Sequence, residues 1–159
     1  MSIRPAGRVD ARAVAAIWNA EILCGVSTFN SVPKEVVEIE ALIGARQGAF
    51  LVAETEGAVA GFATFGAFRG GVGYARTMEH TIYLDAAARG RGLGRELMLA
   101  LEARARSDRV HCLIAAIGGE NREGIAFHAA LGFVETGRLP QAGRKFSRWM
   151  DLVLMQKIL

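Results

Sequence analysis

A segment rich in glycine and arginine has the residue types that suit binding of an anion. It runs from Arg89 to Arg95 with the sequence RGRGLGR, and it separates a strand-like stretch from an amphipathic one. A strand, a glycine loop and a helix N-terminus together direct backbone N–H groups and the helix dipole at an anion. Gly92 and Gly94 let a diphosphate approach the main chain, and the arginines add charge-assisted hydrogen bonds. The segment predicts a phosphate-binding loop.

The spacing in this loop excludes two common nucleotide motifs. No Gly-Lys-Ser/Thr tripeptide of a P-loop occurs, and no acidic residue follows a second parallel strand where a dinucleotide ribose would bind. The sequence therefore predicts neither an NTPase nor a dehydrogenase. Taken alone, a glycine-rich turn with arginines is also an ordinary surface feature.

Glu79 is the candidate general base. It lies in the stretch from Thr77 to Leu84, which is otherwise largely apolar and leads directly to the glycine loop. A partly desolvated carboxylate in such a strand binds protons more tightly, although a glutamate on a half-exposed strand can also face solvent. His80 points to the opposite face of a regularly pleated strand, so it is a core histidine or a pocket wall rather than the partner of Glu79.

Apolar periodicity predicts the elements that position these residues. Helical spacing predicts helices over residues 10–25, 33–48, 93–107 and 121–131, with Asp10 as a cap of the first. Alternating or continuous apolar runs predict strands over residues 3–5, 50–53, 58–68, 77–84, 112–117, 134–137 and 146–155. The order βααβββαβαββ is typical of a single α/β domain, here residues 1–159, with a mixed central sheet.

Composition limits the class of protein. The 159 residues are 52% hydrophobic and 22% charged, which excludes a disordered chain, and no apolar run is long enough to cross a bilayer. With no signal-peptide pattern, we expect a cytoplasmic protein.

Cys24 and Cys112 have apolar neighbours and no metal-ligand spacing, so we expect buried free thiols and no metal. The net charge of +3 comes from scattered basic residues, which disfavours nucleic-acid binding.

Several segments together resemble a known enzyme family. The spacing Arg89-x-x-Gly92-x-Gly94 after a strand resembles the acetyl-CoA pyrophosphate loop of the GNAT superfamily of N-acetyltransferases, and the order of elements is similar to that fold. Nearly the whole chain resembles the phosphinothricin (methionine sulfoximine/sulfone) acetyltransferase subfamily. The matching segments are Ile17-Trp18-Asn19, Thr28-Phe29, Thr77 to His80, Asn121 with His128, Leu131-Gly132-Phe133, Gly143 to Phe146 and Trp149-x-Asp151.

The resemblance implies acetyl-CoA as co-substrate and a set of residues that bind it. Main-chain groups of Ile82, Tyr83 and Leu84 would contact the pantetheine arm, and Asn121 would contact it from the following helix. The pyrophosphate would lie on the loop formed by Arg89, Gly90, Arg91, Gly92, Leu93, Gly94 and Arg95. The implied reaction is direct attack by an amine, with Glu79 as base and no acyl-enzyme. His128 would either donate a proton to the leaving thiolate or pack against the arm.

For the acceptor, the resemblance implies a small amino acid or analogue such as phosphinothricin, methionine sulfoximine or methionine sulfone. The implied pocket residues are Phe29, Arg69, Gly70, Gly71, Glu79, His80 and Thr81. Arg69, Arg76 and Lys145 are the cations expected near the acceptor's carboxylate, unless they are simply solvated. Gly70 and Gly71 stand where the subfamily often has Pro and Phe, which predicts altered selectivity.

Alternatives stay open from the sequence. The same chemistry on a polyamine, an aminoglycoside or a protein N-terminus is one, and a non-catalytic acyl-CoA-binding module is another. A nucleic-acid-binding protein is the third, prompted by the Arg-Gly-Arg-Gly stretch. The subfamily resemblance also implies a homodimer.

Overall fold

A computed structural model describes residues 1–159. The chain forms one seven-stranded sheet in the order β1-β2-β3-β4-β5-β7-β6, with four α-helices on its faces. The elements are β1 (Ser2–Pro5), α1 (Ala11–Cys24), α2 (Val36–Arg46), β2 (Phe50–Thr55), β3 (Ala58–Ala67), β4 (Thr77–Leu84), α3 (Leu93–Ser107), β5 (Cys112–Gly118), α4 (Arg122–Ala130), β6 (Val134–Lys145) and β7 (Arg148–Ile158).

The junction between β4 and β5 is the only parallel pairing in the sheet, and it is short. Register pairs join Thr77–Glu79 of β4 to Cys112–Ile114 of β5, and no pair follows Glu79. Beyond this point the two strands separate, while β3 continues alongside β4 as far as Leu84. The sheet therefore forks at Glu79 and leaves a gap between its two halves.

Two apolar clusters cover the faces of the sheet. On one face α3 buries Leu93, Leu97 and Leu101, whose spacing of four residues aligns them on one side of the helix. On the other face α1 and α2 pack against Phe50 and Phe62. β4 lies between these two layers, so its residues alternate between two separate environments.

The predicted order of elements is confirmed, with different boundaries at several ends. Helix α2 begins at Val36 rather than near Pro33, because Glu35 is an extended N-cap whose backbone N–H donates to the Glu38 carboxylate at 2.6 Å. Strands β6 and β7 are longer than predicted because they form one hairpin. Its turn is made by Phe146 and Ser147, which both have positive φ, so the prediction of Phe146 as a strand residue was wrong.

Two local expectations are corrected by the tertiary structure. Cys112 is buried within β5, but Cys24 is exposed at the last residue of α1. The Asp10 carboxylate makes no cap hydrogen bond to α1; it accepts from Gly7 N at 2.7 Å and from the Arg4 guanidinium. No helix is both long and apolar enough to span a membrane.

Candidate active site

A cavity of about 670 Å³ occupies the fork between β4 and β5. Its walls come from β4 residues 79–84, β5 residues 115–118, the start of α3, the inner side of α4, and α1 with the loop that follows it. Because the separated strands lack their usual hydrogen-bonding neighbours here, main-chain groups of both strands face the gap. The cavity thus brings together Glu79 and the glycine loop, as the sequence predicted.

The glycine loop is shaped to bind an anion through its backbone. Gly90 and Gly92 have φ of +75° and +81°, a region that favours glycine. The first intrahelical bond of α3 runs from Glu96 N to Gly92 O, so the N–H groups of Leu93, Gly94 and Arg95 have no backbone partner. Arg95 lines the cavity, whereas Arg91 is exposed and the Leu93 side chain belongs to the core. Neither Arg91 nor Leu93 lines the cavity, and Leu93 offers its unpartnered backbone N–H to an anion.

Arg89 is held by a carboxylate that the sequence analysis did not single out. Its Nη2 lies 2.5 Å from Oε1 of Glu21, on α1, and both residues line the cavity. Glu21 is three residues after Trp18, which also lines the cavity, so helical spacing could have identified it. The ion pair connects α1 to the glycine loop and partly neutralises an arginine expected to bind phosphate.

Glu79 is half-buried at the point where the strands part. It makes no ion pair and no side-chain hydrogen bond, and burial raises the pKa of its carboxyl group. Thr81 and Tyr83 follow it at alternate positions on β4 and also line the cavity. Burial is the main reason that the pKa of Tyr83 is raised to about 12, so its phenol stays protonated at neutral pH. Glu79 is therefore the residue of this group that exchanges a proton most readily.

His80 and His128 form a buried pair on the opposite face of β4. Their Nε2 atoms are 2.9 Å apart, and Nδ1 of His128 is 2.7 Å from the carbonyl oxygen of Gly124. A carbonyl oxygen only accepts, so Nδ1 of His128 carries a proton. Burial lowers the pKa of both histidines, that of His80 to about 3, which keeps both neutral. In a neutral pair His80 then donates through Nε2, and His128 accepts.

Asn121 connects the cavity to the loop after α1. Its Oδ1 accepts from Gly124 N at 2.9 Å and so caps α4, while its Nδ2 donates to Ser27 Oγ at 3.2 Å. The residue lines the cavity, as do Phe29, Thr81, Ile82 and Leu84. Asn121 therefore has a structural role besides the expected contact with the pantetheine arm.

The three cations expected near the acceptor do not line this cavity. The Arg69 guanidinium lies 5.5 Å from the ring centre of Tyr74 in an exposed loop, and Gly70 and Gly71 lie in the same loop outside the cavity. Arg76 donates to the carbonyl oxygen of Arg109. β3 runs past Glu79 before this loop begins, so the loop lies on the side of the fork where β4 and β5 are still paired, away from the cavity.

Lys145 is buried rather than solvated. Its Nζ donates to the carbonyl oxygens of Glu21, Gly25 and Thr28 at 3.2, 2.7 and 2.9 Å. These carbonyls belong to the end of α1 and to the loop that carries Phe29 into the cavity. Lys145 thus fixes one wall of the cavity from behind.

The mixed sheet forks beside a glycine loop at a helix N-terminus, and a carboxylate lies at the fork. This arrangement defines an acyl-transfer fold that holds a phosphate-bearing acyl carrier. The model of the Acetyltransferase (GNAT) family matches residues 14–133. The chain belongs to this family, and the resemblance seen in the sequence is confirmed.

Similar proteins cover almost the full length of the chain. The L-methionine sulfoximine/L-methionine sulfone acetyltransferase of Pseudomonas aeruginosa is 38% identical over 98% of this chain and 92% of its own. The yncA protein of Salmonella typhimurium, solved with its cofactor acetyl-CoA, has a TM-score of 0.96 at 37% identity, covering 100% of this chain and 94% of its own. A ribosomal-protein-alanine N-acetyltransferase from Brucella melitensis has a TM-score of 0.96 at 39% identity, with 100% of both chains covered.

Proposed function

We propose that this enzyme transfers an acetyl group from acetyl-CoA to the α-amino group of a small amino acid or analogue, such as methionine sulfone, methionine sulfoximine or phosphinothricin. The observation that carries the proposal is the position of Glu79, a desolvated carboxylate that lines the same cavity as the glycine loop. The methionine sulfoximine/sulfone acetyltransferase relative supports the choice of acceptor.

The residues at the fork fit acetyl-CoA. The unpartnered N–H groups of Leu93, Gly94 and Arg95 suit its pyrophosphate, and Gly94 lies so close to Leu84 and Phe127 that a Cβ would be 3.3 Å from each. Ile82 of β4 lines the cavity beyond the fork, where β5 no longer pairs with β4, and its main chain suits the amides of the pantetheine arm. When bound, acetyl-CoA supplies an acetyl group activated as a thioester.

Glu79 acts as the general base in this proposal. An α-amino group is largely protonated at neutral pH, so a proton must leave before the nitrogen lone pair can attack. Burial raises the pKa of Glu79, which makes its carboxylate a better proton acceptor. Because Glu79 has no hydrogen-bond partner of its own, its oxygens are free to receive the proton, directly or through water.

For His128 we propose packing rather than proton donation. Its one proton is directed to the carbonyl oxygen of Gly124, and its other nitrogen faces His80. A neutral His128 in this arrangement has no N–H to direct into the cavity. The pair instead fixes α4 against β4 and so sets the width of the fork.

The test is release of free thiol from acetyl-CoA with phosphinothricin, methionine sulfone, methionine sulfoximine and common amino acids, each against an amine-free blank. Turnover on one of these amines supports the proposal. Tight binding of acetyl-CoA without turnover on any acceptor tested would instead leave a non-catalytic acyl-CoA-binding module.

A second candidate acceptor is the N-terminal alanine of a protein. The observation that favours it is the likeness to the Brucella ribosomal-protein-alanine N-acetyltransferase. Peptides that begin with alanine belong in the same panel, and a kcat/KM higher for a peptide than for every amino acid would select this candidate.

The proposal includes a cytoplasmic homodimer. Two free cysteines without a disulfide suit a reducing compartment. The hairpin of β6 and β7 forms one edge of the sheet and exposes Leu139, Phe146 and Trp149, which suit an interface with a second copy. Light scattering after size-exclusion chromatography tests this, since a monomeric mass at assay concentration would contradict it.

A further inference from the structure

The proposed acceptor carries an α-carboxylate, and the cations expected to bind it are placed elsewhere. Arg69 stacks on Tyr74, Arg76 binds a carbonyl, and Lys145 holds three carbonyls. Arg89 is paired with Glu21. Arg95 lines the cavity from the phosphate-binding end. An amino acid beside Glu79 therefore needs another positive group.

Arg46 is a half-buried arginine without a counter-charge. It is the last residue of α2, and its guanidinium makes no ion pair and no hydrogen bond to any side chain or carbonyl. Burial lowers its pKa, which no other arginine of the chain shows. A desolvated cation with free donors is a group that gains from an anionic ligand.

The guanidinium lies flat on the sheet above Gly66. A Cβ at Gly66 would be 2.4, 2.5 and 2.6 Å from Nη1, Cζ and Nη2 of Arg46. Because these three distances are nearly equal, the plane of the guanidinium lies across the Cα–Cβ direction of residue 66. Glycine is therefore what allows Arg46 to rest here, and the N–H groups at its edge point along the sheet surface.

The sheet register places Gly66 directly opposite Glu79. The two residues are partners in the antiparallel pairing of β3 and β4, so their side-chain directions share one face of the sheet. The Cβ positions of such partners are about 5 Å apart, which puts the Arg46 guanidinium within about 8 Å of Glu79 Cβ. The two groups form no ion pair, so both the carboxylate and the guanidinium are free to bind a ligand.

We propose that Arg46 binds the α-carboxylate of the amino-acid acceptor while Glu79 receives the proton of its α-amino group. This inference rests on the proposed function. An α-amino acid carries its amine and its carboxylate on one carbon, so a base and a guanidinium side by side on the sheet match both groups. The planar guanidinium can bind a carboxylate through two parallel hydrogen bonds. Arg46 lies outside the walls of the main cavity and approaches Glu79 from the α2 side.

The experiment compares each amino acid with its carboxamide, which keeps the amine and loses the negative charge. In Arg46→Gln we expect KM for the acid to rise about 10- to 100-fold, as loss of a charge-assisted contact predicts, with little change for the carboxamide or for acetyl-CoA. Gly66→Ala, whose Cβ must displace the guanidinium, is expected to show the same selective rise.

Arg104→Gln is the matched control. The Arg104 guanidinium also lies against a glycine, Gly48, but it is paired with Asp108 and donates to the carbonyl oxygen of Gln47. The Arg104→Gln substitution removes the same positive charge at a position that does not adjoin Glu79. We therefore expect the KM values to equal those of the wild type.

Isothermal titration of the amino acid into each protein gives a readout independent of turnover, and we expect the wild type to bind more tightly than Arg46→Gln. An equal rise in KM for the amino acid and for its carboxamide, or an unchanged KM for both, would overturn this inference and leave the proposed function standing. Absence of turnover by the wild type on every amino acid would remove the proposed function and this inference with it.

Discussion

The Nε2 atoms of His80 and His128 lie 2.9 Å apart in the interior, between β4 and α4. The proton on Nδ1 of His128 faces the carbonyl oxygen of Gly124, and Nδ1 of His80 is buried without a partner. A charged histidine here would lose its hydration, and two charged rings would repel each other, so the pair stays neutral. The free energy of unfolding therefore depends on pH through this histidine pair.

The first prediction concerns stability at acid pH. Histidines of the unfolded chain bind protons below about pH 6.5, whereas the folded pKa of His80 is about 3. The unfolded state binds more protons between these values, so the free energy of unfolding falls as pH drops from about 6.5 towards 3. For one such histidine we expect a slope of about 1 kcal/mol per pH unit.

Urea unfolding at several pH values measures this slope. The Glu79→Gln background is the appropriate host, since the raised pKa of Glu79 contributes with the opposite sign. Replacing His80 and His128 together by phenylalanine should flatten the dependence. An equal slope with and without the histidines would show that other groups produce it.

The second prediction concerns the general base. Glu79→Gln keeps the shape of the side chain but cannot accept a proton, so kcat should fall about 10²- to 10⁴-fold while the Kd of acetyl-CoA stays unchanged. Glu123→Gln is the control, because Glu123 lines the same cavity from α4. Steady-state kinetics and calorimetry together separate loss of chemistry from loss of binding.

The third prediction follows from the raised pKa of Glu79. The carboxylate is a base only when ionised, so kcat/KM should fall as pH drops through a pKa higher than that of an ordinary glutamate. The pH profile of the wild type measures it, and Glu79→Gln should lack this acidic limb. An acidic limb of the kcat/KM profile at the ordinary pKa of a glutamate would mean that Glu79 is solvated during turnover.

The fourth prediction concerns the Glu21–Arg89 ion pair. Glu21→Gln releases Arg89 for the phosphates, and because Arg89 is largely exposed we expect the Kd of coenzyme A to tighten by only about 2- to 5-fold. Glu123→Gln removes an equal charge from the same cavity without freeing an arginine. Equal tightening in both variants, measured by calorimetry, would indicate a general effect of charge.

The fifth prediction concerns Lys145. Lys145→Met keeps the apolar stem but leaves the carbonyls of Glu21, Gly25 and Thr28 without their donor, so the free energy of unfolding should fall by about 2–4 kcal/mol. Arg144→Met, at the exposed neighbouring position, should have little effect. A loss below about 0.5 kcal/mol in urea unfolding would contradict the role given to Lys145.

The sequence by itself determined the order of the elements, the glycine loop before α3 and the position of Glu79 on the strand that leads to it. Each of these is encoded within a short stretch, by apolar periodicity or by glycines at fixed spacing next to a helix start. The expected contacts of the β4 main chain with the pantetheine arm follow from the same local pattern and stay predictions.

Only the tertiary structure decided which distant residues meet. His80 and His128 are 48 residues apart, and Arg89 and Glu21 are 68 apart. Lys145 was expected near the acceptor, but the long hairpin of β6 and β7 directs it to the loop after α1. The Arg46 guanidinium lies over Gly66, which the register of β3 and β4 pairs with Glu79. Such pairings depend on how strands align and helices pack, and no local pattern encodes that alignment.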